Sequence, residues 1–105
     1  MSISVEEANR LVRLRGTVRG RATTNQKAVD QTYVSITSTN VEAAIQLLRR
    51  LIHSSTELQR LDAAIQPFVK QADETAEHNK ALDYQQDIDN AVAALEFRID
   101  TFKAA

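Results

Sequence analysis

Val41 to Ala72 reads VEAAIQLLRRLIHSSTELQRLDAAIQPFVKQA, and the spacing of its apolar residues decides the fold class. Val41, Ala44, Ile45, Leu48, Leu51, Ile52, Ser55, Leu58, Leu61, Ile65, Phe68 and Ala72 recur in steps of three and four, with adjacent pairs at Ala44-Ile45 and Leu51-Ile52. That is the period of an α-helix with one buried face. In front of it, Thr39-Asn40-Val41-Glu42 has the form of a capping box, in which a hydroxyl and a carboxylate serve free backbone N–H groups. Pro67 interrupts the stripe. Because Phe68 and Ala72 continue it, the pattern predicts a helix kinked at Pro67 rather than ended there.

Working toward the N-terminus, Thr37 to Asn40 is a run of residues that hydrogen-bond their own backbone and favour a turn. Before it, Leu11, Leu14, Val18, Ala22, Val29, Tyr33 and Ile36 keep the helical period, with Asn25 as a polar residue on the same stripe, and Ser4 to Glu7 offers a capping box at the start. Toward the C-terminus, Gln71 to Lys80 is polar and places a turn near Asp73 to Thr75. Ala81 or Leu82, then Gln85, Ile88, Val92, Leu95, Ile99 and Phe102, form a third stripe whose later steps alternate three and four in coiled-coil fashion.

Helices are therefore expected at 5–36, 40–71 and 75–102, in one domain over residues 1–105. Each is about 45 Å long at 1.5 Å per residue. Near-equal helices joined by short turns predict an all-α, antiparallel three-helix bundle. The competing architecture is a helical hairpin coiled coil with long helices that completes its core by dimerising.

Composition narrows the function. The chain has no cysteine, which excludes disulfides, thiolate metal sites and cysteine nucleophiles. Two glycines, one proline and 5% aromatic residues are too few for a β-protein, which needs frequent turns and aromatic or β-branched strands. No apolar run approaches the roughly 18 residues of a membrane span, and Met1 to Leu14 lacks the basic start and apolar middle of a secretory signal. A cytoplasmic address, with no membrane partner, is the expectation. His53 and His78 are the only histidines; Glu74 and His78, four apart, are two ligands where a zinc site needs more. No nucleophile–base–orienter set, calcium loop or phosphate-binding glycine loop is visible. The chain reads as no enzyme, with no cofactor and no small-molecule substrate.

Net charge is −1, yet the charges are segregated. Arg10, Arg13, Arg15, Arg19, Arg21 and Lys27 occupy a stretch without an acid, whereas Asp73, Glu74, Glu77, Asp83, Asp87, Asp89, Glu96 and Asp100 share theirs with Lys80 and Arg98 alone. In an up-down-up bundle the first and third helices run parallel, so basic beside acidic is itself an explanation. The basic segment also contains Gly16 and Gly20. At about 100° per residue both fall opposite Leu14, Val18 and Val29, away from the core. Each costs an exposed helix roughly 1 kcal/mol relative to alanine. Together with Arg10, Arg13, Arg21 and Lys27 they define a candidate interaction face. A smooth basic face can be merely solvated, can accept a second helix closely, or can lie against phosphates. With no aromatic beside the arginines, nucleic-acid binding would be non-specific.

The stretch Arg13-Leu14-Arg15-Gly16-Thr17-Val18-Arg19-Gly20, followed by Thr23 or Thr24, resembles the basic segment that opens Gag-like polyproteins of BEL/Pao-class LTR retrotransposons. Leu58-Gln59-Arg60-Leu61-Asp62-Ala63-Ala64-Ile65 is similar to that family's L-x-x-L-D-x-x-I helix, and Glu77 to Tyr84 resembles its continuation. Pro67 and the scarcity of acids between Gln66 and Ala72 depart from the pattern. The resemblance implies the N-terminal helical region of a Gag-like polyprotein, or of a host protein derived from one, whose role is self-association. Besides such an assembly module, two other functions fit the residues: an adaptor bundle that binds a protein partner, and a basic-faced RNA binder.

Overall fold

The structure, a computed structural model, describes residues 4–105. Residues 1–3, which belong to the domain expected over 1–105 and to the start of the segment expected to lack a secretory signal, lie outside the described residues. Three α-helices and two short 3-10 turns follow one another: α1 (Val5–Gln31), α2 (Val41–Ile65), the turns Gln66–Phe68 and Gln71–Asp73, and α3 (Glu74–Ala104). No strand occurs among the described residues, and none of the helices is long and apolar enough to cross a membrane.

Ser4 starts α1 as expected: the Glu7 N–H donates to its Oγ at 3.2 Å. The reciprocal half of the capping box is not made, because the Glu7 carboxylate is taken by Arg10, whose Nε lies 2.9 Å away. At its other end α1 stops at Gln31, short of the expected residue 36. The cause comes from α3. The Arg98 guanidinium donates to the Val29 carbonyl at 2.8 Å and to the Tyr33 carbonyl at 3.2 Å. In a continuing helix the Val29 carbonyl would receive the Tyr33 N–H; here that N–H turns to Ala28. α1 has no basic residue in its last turn, so Arg98 supplies the cation that the negative end of the helix favours. Tyr33 and Ile36 still pack on the core from the loop.

The expected capping box at Thr39 to Glu42 does not form. Asn40 is the N-cap of α2, but its side chain makes no cap hydrogen bond. It holds the incoming loop instead: Oδ1 accepts from the Thr37 N–H at 2.8 Å and Nδ2 donates to the Ser35 carbonyl at 2.9 Å. The kinked helix through Pro67 is likewise corrected. α2 ends at Ile65, and Pro67 sits at the start of a 3-10 turn, where its missing N–H and its ring disturb no preceding helical bond. Phe68 and Ala72 are exposed and Val69 takes the place against the core. The break expected near Asp73 is present, with Asp73 the N-cap of α3.

Arg15 of α1 meets Glu77 near the start of α3, and Val29 near the end of α1 meets Arg98 near the end of α3. The two helices therefore run parallel, with α2 antiparallel to both, in an all-α three-helix bundle measuring 54 × 22 × 21 Å. Leu51, Leu58, Leu61, Ile88, Leu95 and Val29 are fully enclosed. Leu11, Val18 and Ile65 join them, while Leu14, Leu48 and Val92, expected in the centre, are half-buried at its edge. On α2 the buried line runs Ala44, Leu47, Leu51, Ser54, Leu58, Leu61 and Ile65, a stricter alternation of three and four that includes Leu47 and Ser54 and leaves Ile52 exposed. On α3, Ala81 rather than Leu82 faces inward. Ser55 and Gln85 tie α2 to α3: the Ser55 hydroxyl donates to Gln85 Oε1 at 2.8 Å, and Gln85 Nε2 donates to the Ser55 carbonyl at 3.2 Å.

Truncating a side chain at the centre leaves a cavity that its neighbours fill only in part. Leu51→Ala is expected to lower the unfolding free energy by about 2–5 kcal/mol in chemical denaturation. A loss below about 1 kcal/mol would show that Leu51 is not packed as described.

Candidate functional site: a basic groove between the first two helices

Helical rotation divides the basic segment of α1 into two sets with different fates. Arg15 and Arg19 turn inward, only 7% and 8% exposed. The Arg15 guanidinium donates to Asp62 of α2 at 3.1 Å and to Glu77 of α3 at 3.1 and 3.5 Å. Arg19 lies over the Tyr84 ring at 4.5 Å, a cation–π arrangement. Its Nη2 reaches Asp62 at 3.6 Å, an ion pair too long for a hydrogen bond, and neither Nε nor Nη2 has a hydrogen-bond partner. Burial lowers the Arg19 pKa, and the neighbouring Arg15 charge acts in the same direction. Two guanidiniums thus face two carboxylates at one level of the bundle. The signal was present in the sequence: Leu11, Arg15, Val18 and Ala22 step by four, three and four, which puts Arg15 on the apolar stripe.

Arg10, Arg13, Arg21, Lys27, Gly16 and Gly20 are all exposed, as the candidate face requires. They do not form one site. Arg10 is engaged with Glu7, whose carboxyl pKa is lowered chiefly by that hydrogen bond, and Arg13 and Lys27 lie apart. Gly16, Gly20 and Arg21 line a groove of about 1000 Å3 between α1 and α2. Leu14, Thr17, Val18, Thr24 and Asn25 complete its α1 side; Gln46, Arg49, Arg50, His53, Ser54 and Glu57 form its α2 side. No residue of α3 contributes, so the groove opens on the side of the bundle away from α3. A β-carbon placed on either glycine would meet no atom within 4 Å, so neither glycine serves packing within the fold.

Arg49, Arg50 and His53 belong to this surface although the sequence reading did not include them. The antiparallel register set by Arg15 opposite Asp62 carries Gly20 to Glu57 and Thr24 to His53. Once that pairing is known the α2 wall follows, but the pairing itself is a tertiary fact. Asn25, expected as a buried polar residue, is half-buried at the groove edge.

The parallel placement of basic α1 beside acidic α3 consumes little of the charge asymmetry. Across that interface the side-chain ion pairs are Arg15 with Glu77 and Arg98 with Asp30. Among the described residues, Asp83, Asp87, Asp89, Glu96 and Asp100 are exposed and in no ion pair. His53 and His78 are both exposed, and no group of three or more His, Asp or Glu among the described residues gathers closely enough to hold a metal ion. Comparison of the chain with known protein families, with curated proteins and with solved structures finds no match. The chemistry of the groove must be read from its own residues.

The two inward arginines should respond differently to loss of charge. Arg15→Met leaves Asp62 and Glu77 without their hydrogen-bonded cation and is expected to cost about 2–3 kcal/mol, less than a fully buried pair because both carboxylates keep some hydration. Arg19→Met forfeits no hydrogen bond and is expected to cost under about 1 kcal/mol. Urea denaturation of both variants checks the order; equal losses would contradict it.

Proposed function

We propose that this chain is a non-catalytic helical interaction module that self-associates, in the manner of a Gag-like assembly domain. The observation that carries the proposal is the pair of bare glycines in an open groove. Each weakens α1 by roughly 1 kcal/mol relative to alanine, and no atom of the fold needs the space they leave. A reason for them lies outside the chain. Removal of two β-carbons lowers one wall of the groove and lets a partner helix approach the α1 backbone closely. The resemblance of Arg13 to Gly20 and of Leu58 to Ile65 to Gag-like sequences agrees with this, since assembly is what such regions do.

Catalysis receives no support from the groove's residues. Glu57 is its one acid. Arg60 holds that carboxylate at 3.0 Å through both Nε and Nη2 and lowers its pKa, which makes it a poorer base. Ser54 is buried. An RNA role is less well supported, because no Phe, Tyr or Trp lines the groove and His53 is the one ring there able to stack on a base. The proposed setting is cytoplasmic, with neither a membrane nor a small molecule as partner.

Sedimentation over a concentration series tests the proposal: the weight-average mass of the pure protein should rise with concentration. Gly16→Ala/Gly20→Ala should stabilise the protomer by about 1–2 kcal/mol, since alanine loses less conformational freedom on folding. Its added methyl groups should at the same time weaken association. A mass fixed at the monomer value, or a variant more stable yet unchanged in association, refutes the reading.

A further inference from the structure

On the reading that the chain self-associates, the geometry points to the occupant of the groove: the outer face of α3 from a second copy. α3 carries a second apolar line on the side away from its own core. Phe97 is 73% exposed and Leu82 52%, and Ala93 is exposed between them. At about 100° per residue, Phe97 stands half a turn from the enclosed Ile88, and Leu82, Asp89, Ala93, Glu96 and Asp100 share its sector. A phenylalanine this exposed, set among acids that no cation among the described residues engages, suits an aromatic anchor awaiting a pocket.

Charge determines which faces can meet. The groove presents Arg21, Arg49 and Arg50, with Glu57 already held by Arg60. The outer sector of α3 presents Asp89, Glu96 and Asp100. Groove against groove opposes cation to cation, and α3 against α3 opposes acid to acid. Only groove against α3 joins opposite charges. The lengths agree as well: Asp89 to Asp100 spans about 16 Å of helix, as does the α1 wall from Leu14 to Asn25. Gly16 and Gly20 are where that wall is lowest, and Phe97 is the side chain that would enter there.

Because groove and α3 face lie on different sides of one protomer, the contact is head-to-tail. Each copy keeps a free groove at one end and a free α3 face at the other, so association continues until a ring closes or a filament extends. Such growth serves an assembly module, and it uses the charge asymmetry that the bundle leaves unspent.

Two variants test the assignment. Arg49→Glu/Arg50→Glu disables the groove, and Ala93→Glu/Phe97→Glu disables the α3 face; all four positions are exposed, and circular dichroism checks that both variants fold. Each alone should associate at least about tenfold more weakly than the unaltered protein. An equimolar mixture retains one intact groove and one intact α3 face, so it should form a one-to-one dimer that grows no further. If the unaltered protein associates but Ala93→Glu/Phe97→Glu does so equally well, or if the mixture stays monomeric, the α3 assignment is overturned while self-association stands. If the unaltered protein is monomeric at every concentration, both fall. If Arg49→Glu/Arg50→Glu leaves association unchanged but loses a single-stranded RNA oligonucleotide that the unaltered protein retains at low salt, the groove belongs to phosphate and the inference is wrong.

Discussion

Arg15 must keep its two carboxylates, and much of the bundle follows from that requirement. Its guanidinium is almost fully enclosed and draws one acid from each of the other helices, Asp62 and Glu77. A slide of any one helix by a turn, about 5.4 Å, would part this buried cation from at least one of its carboxylates. Arg19 shares the same level and leans on Tyr84 instead of forming hydrogen bonds. The apolar stripes alone would not hold one register so firmly. They are rich in alanine and leucine at a repeating spacing, and such repeats tolerate a shift by a whole turn. Polar groups that are costly to misplace remove that freedom, as single buried polar residues do in coiled coils.

Two further ties sit at other levels along the long axis. Ser55 and Gln85 exchange hydrogen bonds between α2 and α3. Arg98 reaches from α3 to the carbonyls at the end of α1 and to Asp30. The ties differ in their acceptors: two carboxylates for Arg15, a side-chain amide and a backbone carbonyl for the Ser55–Gln85 pair, and two backbone carbonyls with one carboxylate for Arg98. Arg98 also satisfies backbone acceptors that would otherwise need water or a further turn of helix, and in doing so it sets the length of α1.

The same economy leaves a surplus at the surface. Two of the α1 arginines are used inside, and Arg98 is the one α3 cation that crosses to α1. Much of the remaining charge separates by face, with Arg21, Arg49 and Arg50 around the groove of α1 and α2 and Asp89, Glu96 and Asp100 along the outside of α3. A bundle built only for stability would gain from interleaving them, since like charges gathered on one face repel. Their separation, the two bare glycines of the groove and the exposed Phe97 of α3 are surface features, on two sides of the protomer, that packing within the fold does not call for.

What the sequence alone determined was local. Spacings of three and four specify helix whatever the surroundings, so the three helices, the breaks near Ser38 and Asp73, and most of the core from Leu11 to Leu95 were legible in it. Gly16 and Gly20 were legible as off-core for the same reason. Tertiary structure decided whatever depends on a partner distant in the chain. α1 ends at Gln31 because Arg98 takes the carbonyl that Tyr33 would have filled, and nothing within α1 announces this. Asn40 secures a loop rather than a cap because Thr37 and Ser35 are brought to it. Arg15 stood on the stripe in plain view, but its burial depends on Asp62 and Glu77 arriving from two other helices. The groove likewise needed Arg49, Arg50 and His53 beside Gly20 and Arg21. A periodicity reports which side of one helix is apolar; it carries no information on which residues of two antiparallel helices come to lie level, because that register is set by contacts between them.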